Sequence, residues 1–585
     1  AAQNVNGSLD NDRDAYLGKF SRFMPVGFYY RSFYKPRGMW KVWEPLIRKK
    51  AGLGVLDLHF QPQYHDKAFL FTDVAVIGAG PAGLQAALSA ANAGAKVLLI
   101  EQQALLGGSL NWARFDIDGD QAQRLGRELL EAVASHANIR VLSEATCNAW
   151  FTDNFLPVIQ GNRLYKVRAR QCIVAAGAFD QPVVFRNNDL PGIMLTSAAQ
   201  RLMKLYAVKP GQRAVVLTGN DDGYLAALDL HDQGVTVAAL LDMRAQPGNG
   251  ALITALQSRG IACHSGSTVY EALHGKGMRH INGVEVRRIV GQGQVDATSQ
   301  RIDCDLLCMS AGYMPVYQLL CQAGGKLSYD DREAAFALTG LPDNLGVAGS
   351  VNGQHLLANV LSDARQAAAN AVSRLGLAAA EGSSERLAEP RVNFDWPIFP
   401  HPKGKEFVDF DEDLQVRDII NATRHGYRDV QLVKRFSTVG MGPSQGRHSA
   451  LSTARLVAQA TGRSVSETGV TTSRPPFVAE KLAHVAGRGF DPARQTPMHQ
   501  RHLEAGAKMM PAGIWQRPAF YGKAAERDAC MQAEARHVRE KVGLIDVSTL
   551  GGLDVRGPDA AELLNRLYTF AFSKQPVGRS RYALM

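Results

Sequence analysis

One stretch of the sequence limits the possible folds more than any other, DVAVIGAGPAGLQAALSAANAGAKVLLIE at residues 73–101. A short apolar run leads into three glycines at GxGxxG spacing, then an alanine-rich segment and a second apolar run that ends in Glu101. Apolar runs bounded by turn residues predict buried strands, so the whole pattern predicts a strand, a tight turn, a helix and another strand. Such a βαβ unit belongs in a parallel sheet that is covered by helices.

The glycine turn predicts a phosphate-binding site. Gly78 permits the tight turn, Gly80 lets backbone N–H groups reach a pyrophosphate, and Gly83 allows the helix to pack closely on the strand. The helix that follows would direct its positive end at the phosphates. Glu101 is placed to accept hydrogen bonds from an adenosine ribose and to disfavour a 2′-phosphate. We expect an adenine dinucleotide here, the alternative being a Rossmann fold that has lost its ligand. The motif residues are Gly78, Gly80, Pro81, Ala82, Gly83 and Glu101.

A second unit of the same kind runs from Arg213 to Arg244, RAVVLTGNDDGYLAALDLHDQGVTVAALLDMR. Its turn, GNDDG at 219–223, has two acidic residues where a pyrophosphate would lie, and like charge opposes phosphate binding. We interpret it as a structural Rossmann unit whose nucleotide site is degraded. Asp242 ends the next strand and could still hold a ribose, so a second site is not excluded.

Three further apolar runs end in small residues: QCIVAAGAFDQP at 171–182, DLLCMSAGYMP at 305–315 and NLGVAGSVNG at 344–353. Strand ends of this composition let the backbone approach a bound dinucleotide closely. The fold class expected from these patterns is α/β, with a two-dinucleotide-binding Rossmann module at 71–385. The second unit is inserted at about 205–305.

The remaining sequence predicts an arm, a linker and two further domains. Residues 1–70 lack a sustained period and carry turn signals such as Pro25-Val26-Gly27, which indicates a connecting arm. Low-complexity sequence, LAAAEGSSERLAEP, precedes and enters the linker that we expect at 386–400.

Two short amphipathic segments, 414–426 and 449–462, flank the loop GMGPSQGR and predict a small helical domain at 401–490. Its layout resembles the small ferredoxin-like domains that bind a [2Fe-2S] cluster through four cysteines. Ser444 stands where a cysteine is expected, and no cysteine occurs from 322 to 529. An iron-sulfur cluster is therefore excluded on its ligands. A further domain, of α+β type, begins at about 496.

The seven cysteines are scattered and odd in number, which favours reduced core thiols over a disulfide framework. Cys304 and Cys308 lie in the strand-like run CDLLCMS, where alternation would place both on one face. We expect them to be buried rather than redox-active. A self-sufficient disulfide reductase would need a CxxC or CxxxxC pair after the first unit, and the sequence has none.

Other functional classes find little support. The net charge of +10 is spread along the chain rather than clustered with aromatic residues, so nucleic-acid binding is not expected. No apolar run is long enough to span a membrane, and a cytoplasmic location is expected. His499 and His502 are three residues apart but lack Cys or acidic partners at metal spacing, so no metal site is expected. No hydrolase or kinase motif is present, and no catalytic residue is identified.

The last part of the chain makes the sequence recognisable. EARHVREKVGLIDVSTLGGLDVRGPDAAELLNRLYT, residues 534–569, resembles the opening of the folate-binding domain of glycine-cleavage aminomethyltransferases. Taken in order with FRNNDLPGIML, GMGPSQGR, TGVTTSRPPF, AGAKMMPAGIWQRPAFYG and the intact GAGPAG, the span 71–585 resembles the α subunits of heterotetrameric sarcosine oxidases.

The resemblance implies a division of chemistry between subunits. NAD would lie in the α module, FAD in the β subunit, and FMN at the α/β contact, held covalently by β. The α carboxyl-terminal domain would bind tetrahydrofolate, and the partners would be β, γ and δ subunits. The substrate would be an N-methyl amine, sarcosine, which is demethylated to glycine with peroxide and methylene-tetrahydrofolate or formaldehyde as products. By motif, Gly78, Gly80, Gly83 and Glu101 would bind NAD, with Gly108, Gly177 and Gly349 near it.

Two departures and three rivals accompany this expectation. The amino-terminal small domain of the family is not seen upstream, and the folate domain stops at Met585, before its principal folate contacts. One rival is a subunit of a related N-methyl amino acid dehydrogenase, such as one acting on N-methylglutamate. The others are a stand-alone NAD(P)/FAD oxidoreductase and a scaffold whose bound NAD is structural.

Overall fold

The computed structural model describes residues 5–8, 11–23, 28, 32–33, 35–52, 54–61, 63–247, 249–275, 280–378, 386–487 and 493–585. The turn expected at Pro25-Val26-Gly27 lies outside the described residues. The chain divides into two compact parts, residues 1–485 and residues 486–585. In the arm at the start of the first part, a 3-10 helix spans Arg13–Phe23 and an α-helix spans Trp40–Lys50.

The first glycine-rich stretch forms the centre of a seven-stranded sheet. Its strands are Asp66–Ile77, Val97–Ile100, Ile139–Leu142, Ala145–Cys147, Phe155–Gln160, Arg163–Val174 and Leu345–Val347. The helices of this unit are Pro81–Asn92, Gln121–Ser135 and Leu357–Arg374, and their apolar sides share one core with the sheet. The first strand begins at Asp66, earlier than the apolar run indicates. Residues 66–72 pair with the neighbouring strand, but Lys67, Phe69 and Phe71 are exposed, so this part of the strand has no continuous apolar run.

The second glycine-containing unit forms a parallel five-stranded sheet. Its strands are Ile193–Leu195, Arg213–Thr218, Thr236–Asp242, Cys263–Ser265 and Leu306–Ser310. The helices Thr196–Tyr206, Asp222–Asp232 and Gly250–Gln257 pack on one face. An antiparallel sheet of Ser267–His274, Ile281–Gly291 and Gln294–Ile302 covers the other. The sequence prediction of two Rossmann units is confirmed.

A short antiparallel ribbon links the two sheets. The strand Ala178–Asp180 leaves the carboxyl end of the first sheet and pairs with Tyr313–Pro315, which leaves the carboxyl end of the second. The helix Gln318–Gln322 and the hairpin Lys326–Asp330 and Ala335–Gly340 follow the ribbon. We refer to the paired strands as the ribbon. It stands between the edges at which both sheets would bind ligands.

The segment 386–400, which composition predicts to be a linker, is part of the core. Trp396, Ile398 and Phe399 are buried, and Phe399 donates its backbone N–H to the Val184 carbonyl. The expectation was wrong because polar composition holds only up to about residue 390, after which aromatic and branched side chains bury apolar area.

The helical part that follows shares this core. Its helices are Val416–Arg424, Val430–Ser437, Ala450–Thr461, Val465–Thr468 and Leu482–Val485, and a two-stranded sheet joins Phe407–Asp409 to Leu414–Gln415. Two of the helices were expected from the sequence. The helix Val430–Ser437 was missed although Asp429 caps it by accepting from the Gln431 N–H, because its eight residues give too short a period to detect.

The cysteine pair does not lie on one face. Cys304 precedes the strand Leu306–Ser310, so the alternation of the strand does not extend to it. It packs against one side of the second sheet and Cys308 against the other. Both are buried, and burial raises the pKa of each thiol to about 12.

The unit 486–585 has its own small sheet. Its strands are Arg494–Gln495, Ala507–Ala512 and Trp515–Tyr521, and its helices are His499–Glu504, Arg527–Glu540 and Ala560–Leu567. Throughout the described part of the chain, no helix has the length and apolar character needed to cross a membrane.

Candidate functional site

The glycine turn of the first unit is packed as the motif requires. Gly78 has φ +98°, and a Cβ at this position would stand 2.5 Å from the Ala175 carbonyl oxygen. A Cβ on Gly83 would stand 1.8 Å from the Gly78 carbonyl oxygen. Both contacts are shorter than any real Cβ contact, so only glycine fits at these two positions.

Gly80 differs from both neighbours in the motif. A Cβ at Gly80 would meet no atom within 4 Å, so this position faces open space. Gly80 is extended and precedes the helix that begins at Pro81, where the missing N–H costs nothing. The next residue, Ala82, is buried. Fold packing therefore does not demand a glycine at position 80, whereas close approach of a phosphate to the helix start does.

The loop that contains Gly107 and Gly108 flanks the turn. Gly108 has φ +54°, and a Cβ there would come within 2.8 Å of the Gly80 Cα. Gly107 donates its N–H to the Ala79 carbonyl at 2.8 Å. The loop after the second strand therefore lies directly against the glycine turn.

Glu101 is buried at the end of its strand and fastens the turn. One carboxylate oxygen accepts the Ala79 N–H at 2.7 Å, and the other accepts the Gln103 N–H at 2.8 Å. A carboxylate oxygen has a second lone pair, so each can also accept a hydroxyl hydrogen bond. The residue thus has both a structural function and the chemistry expected for a ribose.

Gly349 and Gly177 lie along the same sheet edge. Gly349 has φ +80°, and a Cβ there would be 2.7 Å from the Ala82 Cβ. Its N–H donates to buried Asp363 at 2.9 Å. Gly177 has φ +75°, faces open space, and accepts from the Val316 N–H at 3.1 Å. The structure thus brings the expected residues together along one edge of the first sheet.

The turn of the second unit is covered by the chain itself. A Cβ on Gly219 would stand 2.7 Å from the Phe394 Cβ. Asn220 donates its side-chain amide to the Val392 carbonyl at 2.9 Å, and Phe394 donates its N–H to the Ala311 carbonyl at 2.9 Å. We refer to residues 391–396 as the plug. It lies where a dinucleotide would approach the turn.

The acidic groups of the second turn are also engaged. Arg244 pairs with Asp221 at 2.9 Å and with Asp242 at 2.9 Å, and the Tyr224 hydroxyl donates to Asp242 at 2.9 Å. Asp242, left open by the sequence as a ribose acceptor, is completely buried. These contacts support the interpretation of a degraded site. No sequence signal pointed to the plug, since it falls in the segment expected to be a linker.

A set of polar side chains between the two Rossmann sheets was not singled out from the sequence. Asp180, Ser197, Arg201, Tyr313 and His355 lie beside the ribbon, and we refer to the place between them as the cleft. Arg201 is exposed, and the other four are half-buried. Asp180 and Tyr313 come from strands, Ser197 and Arg201 from a helix and His355 from a loop, and no motif links them in the sequence. Their proximity depends on how the two sheets face each other, which local sequence does not encode.

The loop GMGPSQGR is held by carboxylates rather than by metal ligands. Asp409, completely buried, accepts from the Gly440 N–H at 2.7 Å and from the Ser449 hydroxyl at 3.0 Å. Asp411 accepts from the Ser444 N–H at 2.8 Å. Across the described residues, no group of three or more His, Cys, Asp and Glu side chains is placed to hold a metal ion.

His502 has an acidic partner that sequence spacing did not reveal. Its Nε2 lies 2.9 Å from the Asp546 carboxylate and its Nδ1 lies 2.7 Å from the Tyr521 hydroxyl. Thr496 and Ser548 also donate to Asp546, and these hydrogen bonds hold its pKa below the usual range. The cluster cross-links the unit 486–585.

The chain matches three protein families. Residues 72–334 match the pyridine nucleotide-disulphide oxidoreductase family, 403–488 the sarcosine oxidase A3 domain, and 498–585 the GCVT N-terminal domain. The fold is similar to that of the L-proline dehydrogenase from P. horikoshii, with a TM-score of 0.55 and 22% identity over 73% of this chain and 82% of that one. This likeness concerns the fold alone.

Curated relatives extend over the whole chain. The sarcosine oxidase subunit alpha of Rhizobium meliloti is 35% identical over 611 residues, covering 100% of this chain and 60% of the relative. That of Corynebacterium sp. strain P-1 is 34% identical over 565 residues, covering 91% of this chain and 58% of the relative. The chain therefore spans 58–60% of the length of these relatives. These matches, with the A3 and GCVT domains in the expected order, show that the chain belongs to the family of sarcosine oxidase α subunits.

Proposed function

We propose that this chain is the NAD-binding portion of the α subunit of a sarcosine oxidase. The observation that carries the proposal is the open space at Gly80 within an otherwise tightly packed glycine turn. Gly78 and Gly83 are required by the fold, but a glycine at position 80 is explained by a ligand that approaches the backbone. A pyrophosphate there would accept hydrogen bonds from the first backbone N–H groups of the helix.

Glu101 supports NAD over its 2′-phosphorylated form. Its carboxylate lies at the end of the second strand, where an adenosine ribose would reach it. A phosphate at the ribose would meet this negative charge, whereas two free hydroxyls would donate to it. The ligand of the first unit is therefore NAD, with Gly78, Gly80, Pro81, Ala82, Gly83, Glu101, Gly108, Gly177 and Gly349 as its surroundings.

In the complete enzyme the activity is the oxidative demethylation of sarcosine to glycine, with oxygen as electron acceptor. FAD belongs to the β subunit and FMN to the α/β contact, and tetrahydrofolate belongs to the complete aminomethyltransferase-like domain. The residues described here bind and orient NAD and contribute to the surfaces on which these cofactors act. A route to folate that excludes water prevents loss of the one-carbon unit as formaldehyde.

The partners are the β, γ and δ subunits of a cytoplasmic heterotetramer. The helix Trp40–Lys50 forms part of the surface that contacts a partner subunit. None of its residues is buried in this chain. Trp40, Trp43 and Leu46 expose between 37% and 54% of their area. Exposed apolar side chains grouped on one element mark interaction surfaces more often than free surface.

Two alternative functions differ in whether they need a nucleotide site in the second Rossmann unit. A subunit of an N-methyl amino acid dehydrogenase, such as N-methylglutamate dehydrogenase, would share this module, because the amine pocket lies on another chain. A stand-alone NAD(P)/FAD oxidoreductase would need the second nucleotide site, which the plug and the buried Asp242 fill. The plug therefore favours the subunit over the reductase.

The test is to purify the chain with co-expressed neighbours and identify the small molecules released by acid with mass spectrometry. Sarcosine-dependent peroxide formation is measured on the same sample. We expect released NAD and FAD, FMN covalently attached to a partner, and peroxide formed from sarcosine. FAD released from this chain alone, with rapid reduction by free NADH, would replace the subunit assignment by the reductase.

A further inference from the structure

The ribbon places one carboxyl group between the two Rossmann sheets. Asp180 ends the first ribbon strand and is the cross-strand neighbour of Tyr313. Both ribbon strands continue directly from the carboxyl edges of their sheets, the edges at which such folds bind ligands. Asp180 therefore lies between the carboxyl edges of the two sheets, at the cleft.

The carboxyl group of Asp180 is only half satisfied. Its Oδ2 accepts from the Ser197 hydroxyl at 3.2 Å. Its Oδ1 is buried and has no hydrogen-bond partner within the described structure. A buried polar atom without a partner is costly, and in a native protein such an atom calls for an explanation. A positively charged ligand group close to this carboxyl group would compensate electrostatically for the missing contact.

The titratable groups around Asp180 come from two helices, from the second ribbon strand and from the loop that contains His355. Arg201, on the helix Thr196–Tyr206, stacks over the Trp112 ring at 4.6 Å and lies within electrostatic range of Asp180. Asp222, which begins the helix Asp222–Asp232, accepts from the Tyr313 hydroxyl at 2.6 Å. The His355 ring stacks on Tyr313 with 5.1 Å between centroids, and burial lowers the pKa of His355. The cleft thus has two carboxyl groups, one guanidinium and a histidine held towards its neutral form.

A dinucleotide in the first site can reach this cleft. The pyrophosphate would lie at the glycine turn, next to Ala175 and Gly349. Gly177 faces open space two residues beyond Ala175, and Asp180 lies three residues farther along extended backbone. Extended chain rises about 3.3 Å per residue, which places Asp180 roughly 10 Å beyond Gly177 along the sheet edge. The second half of the dinucleotide would extend in this direction.

We propose that Asp180 is the residue that complements the positive charge of an oxidised nicotinamide ring in the cleft, and that it releases its proton when this ring binds. The inference rests on the proposed NAD site of the first unit. It adds the group that distinguishes the two oxidation states of the ligand. The oxidised ring carries one positive charge, whereas the reduced ring is neutral.

The proton balance follows from the surroundings of Asp180. Burial, reinforced by the negative charge of Asp222, raises the pKa of Asp180 to about 8, so the group is protonated at neutral pH. A cationic ring beside it favours the carboxylate, so one NAD⁺ enters and one proton leaves to solvent. NADH brings no charge at the ring, and the carboxyl group keeps its proton. No electron is transferred. The only covalent change is that the O–H bond of Asp180 breaks and water or buffer takes up the proton.

The test uses the full chain with its partners, freed of bound nucleotide, and isothermal titration at pH 7 in two buffers of different ionisation enthalpy. The difference between the buffers gives the number of protons released per ligand. We expect nearly one proton released with NAD⁺ and none with NADH. The NAD⁺ affinity should also rise about tenfold per pH unit from pH 6 to 7.5 and level off above about pH 8.5.

Asp180→Asn preserves the shape of the side chain and should abolish both the proton release and the pH dependence. Asp331→Asn, at an exposed turn, is the matched control and should leave both unchanged. Equal proton release with NAD⁺ and NADH, or unchanged release in Asp180→Asn, would overturn the inference and leave the NAD site standing. Failure of either nucleotide to bind would remove the proposed function, and this inference with it. The comparison of the two oxidation states on the unsubstituted protein needs no variant to fold.

Discussion

Phe394 lies so close to Gly219 that a Cβ on the glycine would stand 2.7 Å from the Phe394 Cβ. A residue about 175 positions along the chain thus covers the phosphate-binding turn of the second Rossmann unit. In this family of folds the turn normally faces a ligand. Here the same space contains a phenyl ring, which supports the interpretation of the second unit as a structural one.

We expect Phe394→Ala to lower the free energy of unfolding by about 2 to 4 kcal/mol, because it removes a partly buried ring and leaves a cavity. Denaturant unfolding measures the change. Phe71→Ala removes the same ring from a side chain that is 77% exposed and should change stability by less than about 0.5 kcal/mol. NADH binding is not expected to appear in Phe394→Ala, since Arg244 still holds Asp221 and Asp242. Equal stability of the two variants would show that the plug contributes no packing.

The three motif glycines should respond differently to alanine. Gly80→Ala meets open space, so the melting temperature of the ligand-free chain should stay within a degree or two of the unsubstituted value, while NAD affinity falls at least tenfold. Gly83→Ala would force a Cβ to within 1.8 Å of the Gly78 carbonyl oxygen and should destabilise the module itself. Thermal melting and NAD titration separate the two effects. A Gly80→Ala chain that binds NAD normally would contradict the site.

Glu101 should contribute to both stability and affinity. Glu101→Ala leaves the buried Ala79 N–H without its acceptor and should weaken NAD binding by about 1 to 3 kcal/mol. Glu101→Gln retains one carbonyl acceptor, so it should recover part of the stability but less of the affinity. Titration of both variants measures the difference. Unchanged NAD affinity in Glu101→Ala would place the ribose elsewhere.

Asp180 should impose a pH dependence on stability even without ligand. Its pKa in the folded chain, about 8, is above the unfolded value, so the folded state holds a proton that the unfolded state has lost. Its stabilisation is fully present below about pH 4 and is lost as pH rises towards 8, by about 1.4 kcal/mol per pH unit. Asp180→Asn should flatten this slope in urea unfolding curves measured from pH 5 to 8.5. A parallel shift of the whole curve would mean that another group titrates.

Thiol labelling should follow burial. Cys147 and Cys308 are buried, and burial raises the pKa of each thiol to about 12, so neither presents a thiolate at pH 8. Cys530 is partly exposed. Alkylation of the native chain with iodoacetamide, followed by peptide mass mapping, should modify Cys530 first. Early labelling of Cys308 would show that the second sheet opens locally.

The parts of the fold that local sequence specifies were predictable. Each βαβ unit has an apolar period, a turn and a helix within about thirty residues, so hydrophobic pattern and glycine spacing were sufficient. The roles of Gly78 and Gly83 could be assigned from the sequence because the motif requires a tight turn at the first position and close helix–strand packing at the third. The helix Val430–Ser437 was missed because it is short and packs through contacts that are remote in sequence.

The parts that depend on distant contacts were not predictable. The plug follows low-complexity sequence, and only the folded chain shows that its aromatic and branched residues cover a turn far away. Asp180 and Tyr313 are separated by more than a hundred residues and meet only through the ribbon. Burial of the carboxyl, and with it the raised pKa, arises from this meeting rather than from either segment.

Contacts on two sides of the cleft hold the two Rossmann units together, and they should affect how fast a ligand leaves. The ribbon joins the sheets on one side, and on another Arg114 bonds to Asp232 at 2.7 Å and to buried Asp229 at 3.3 Å. Separating the two Rossmann units would break these contacts together. We therefore expect a dinucleotide in the cleft to have a long residence time, with a dissociation rate set by loosening of the protein rather than by its own contacts.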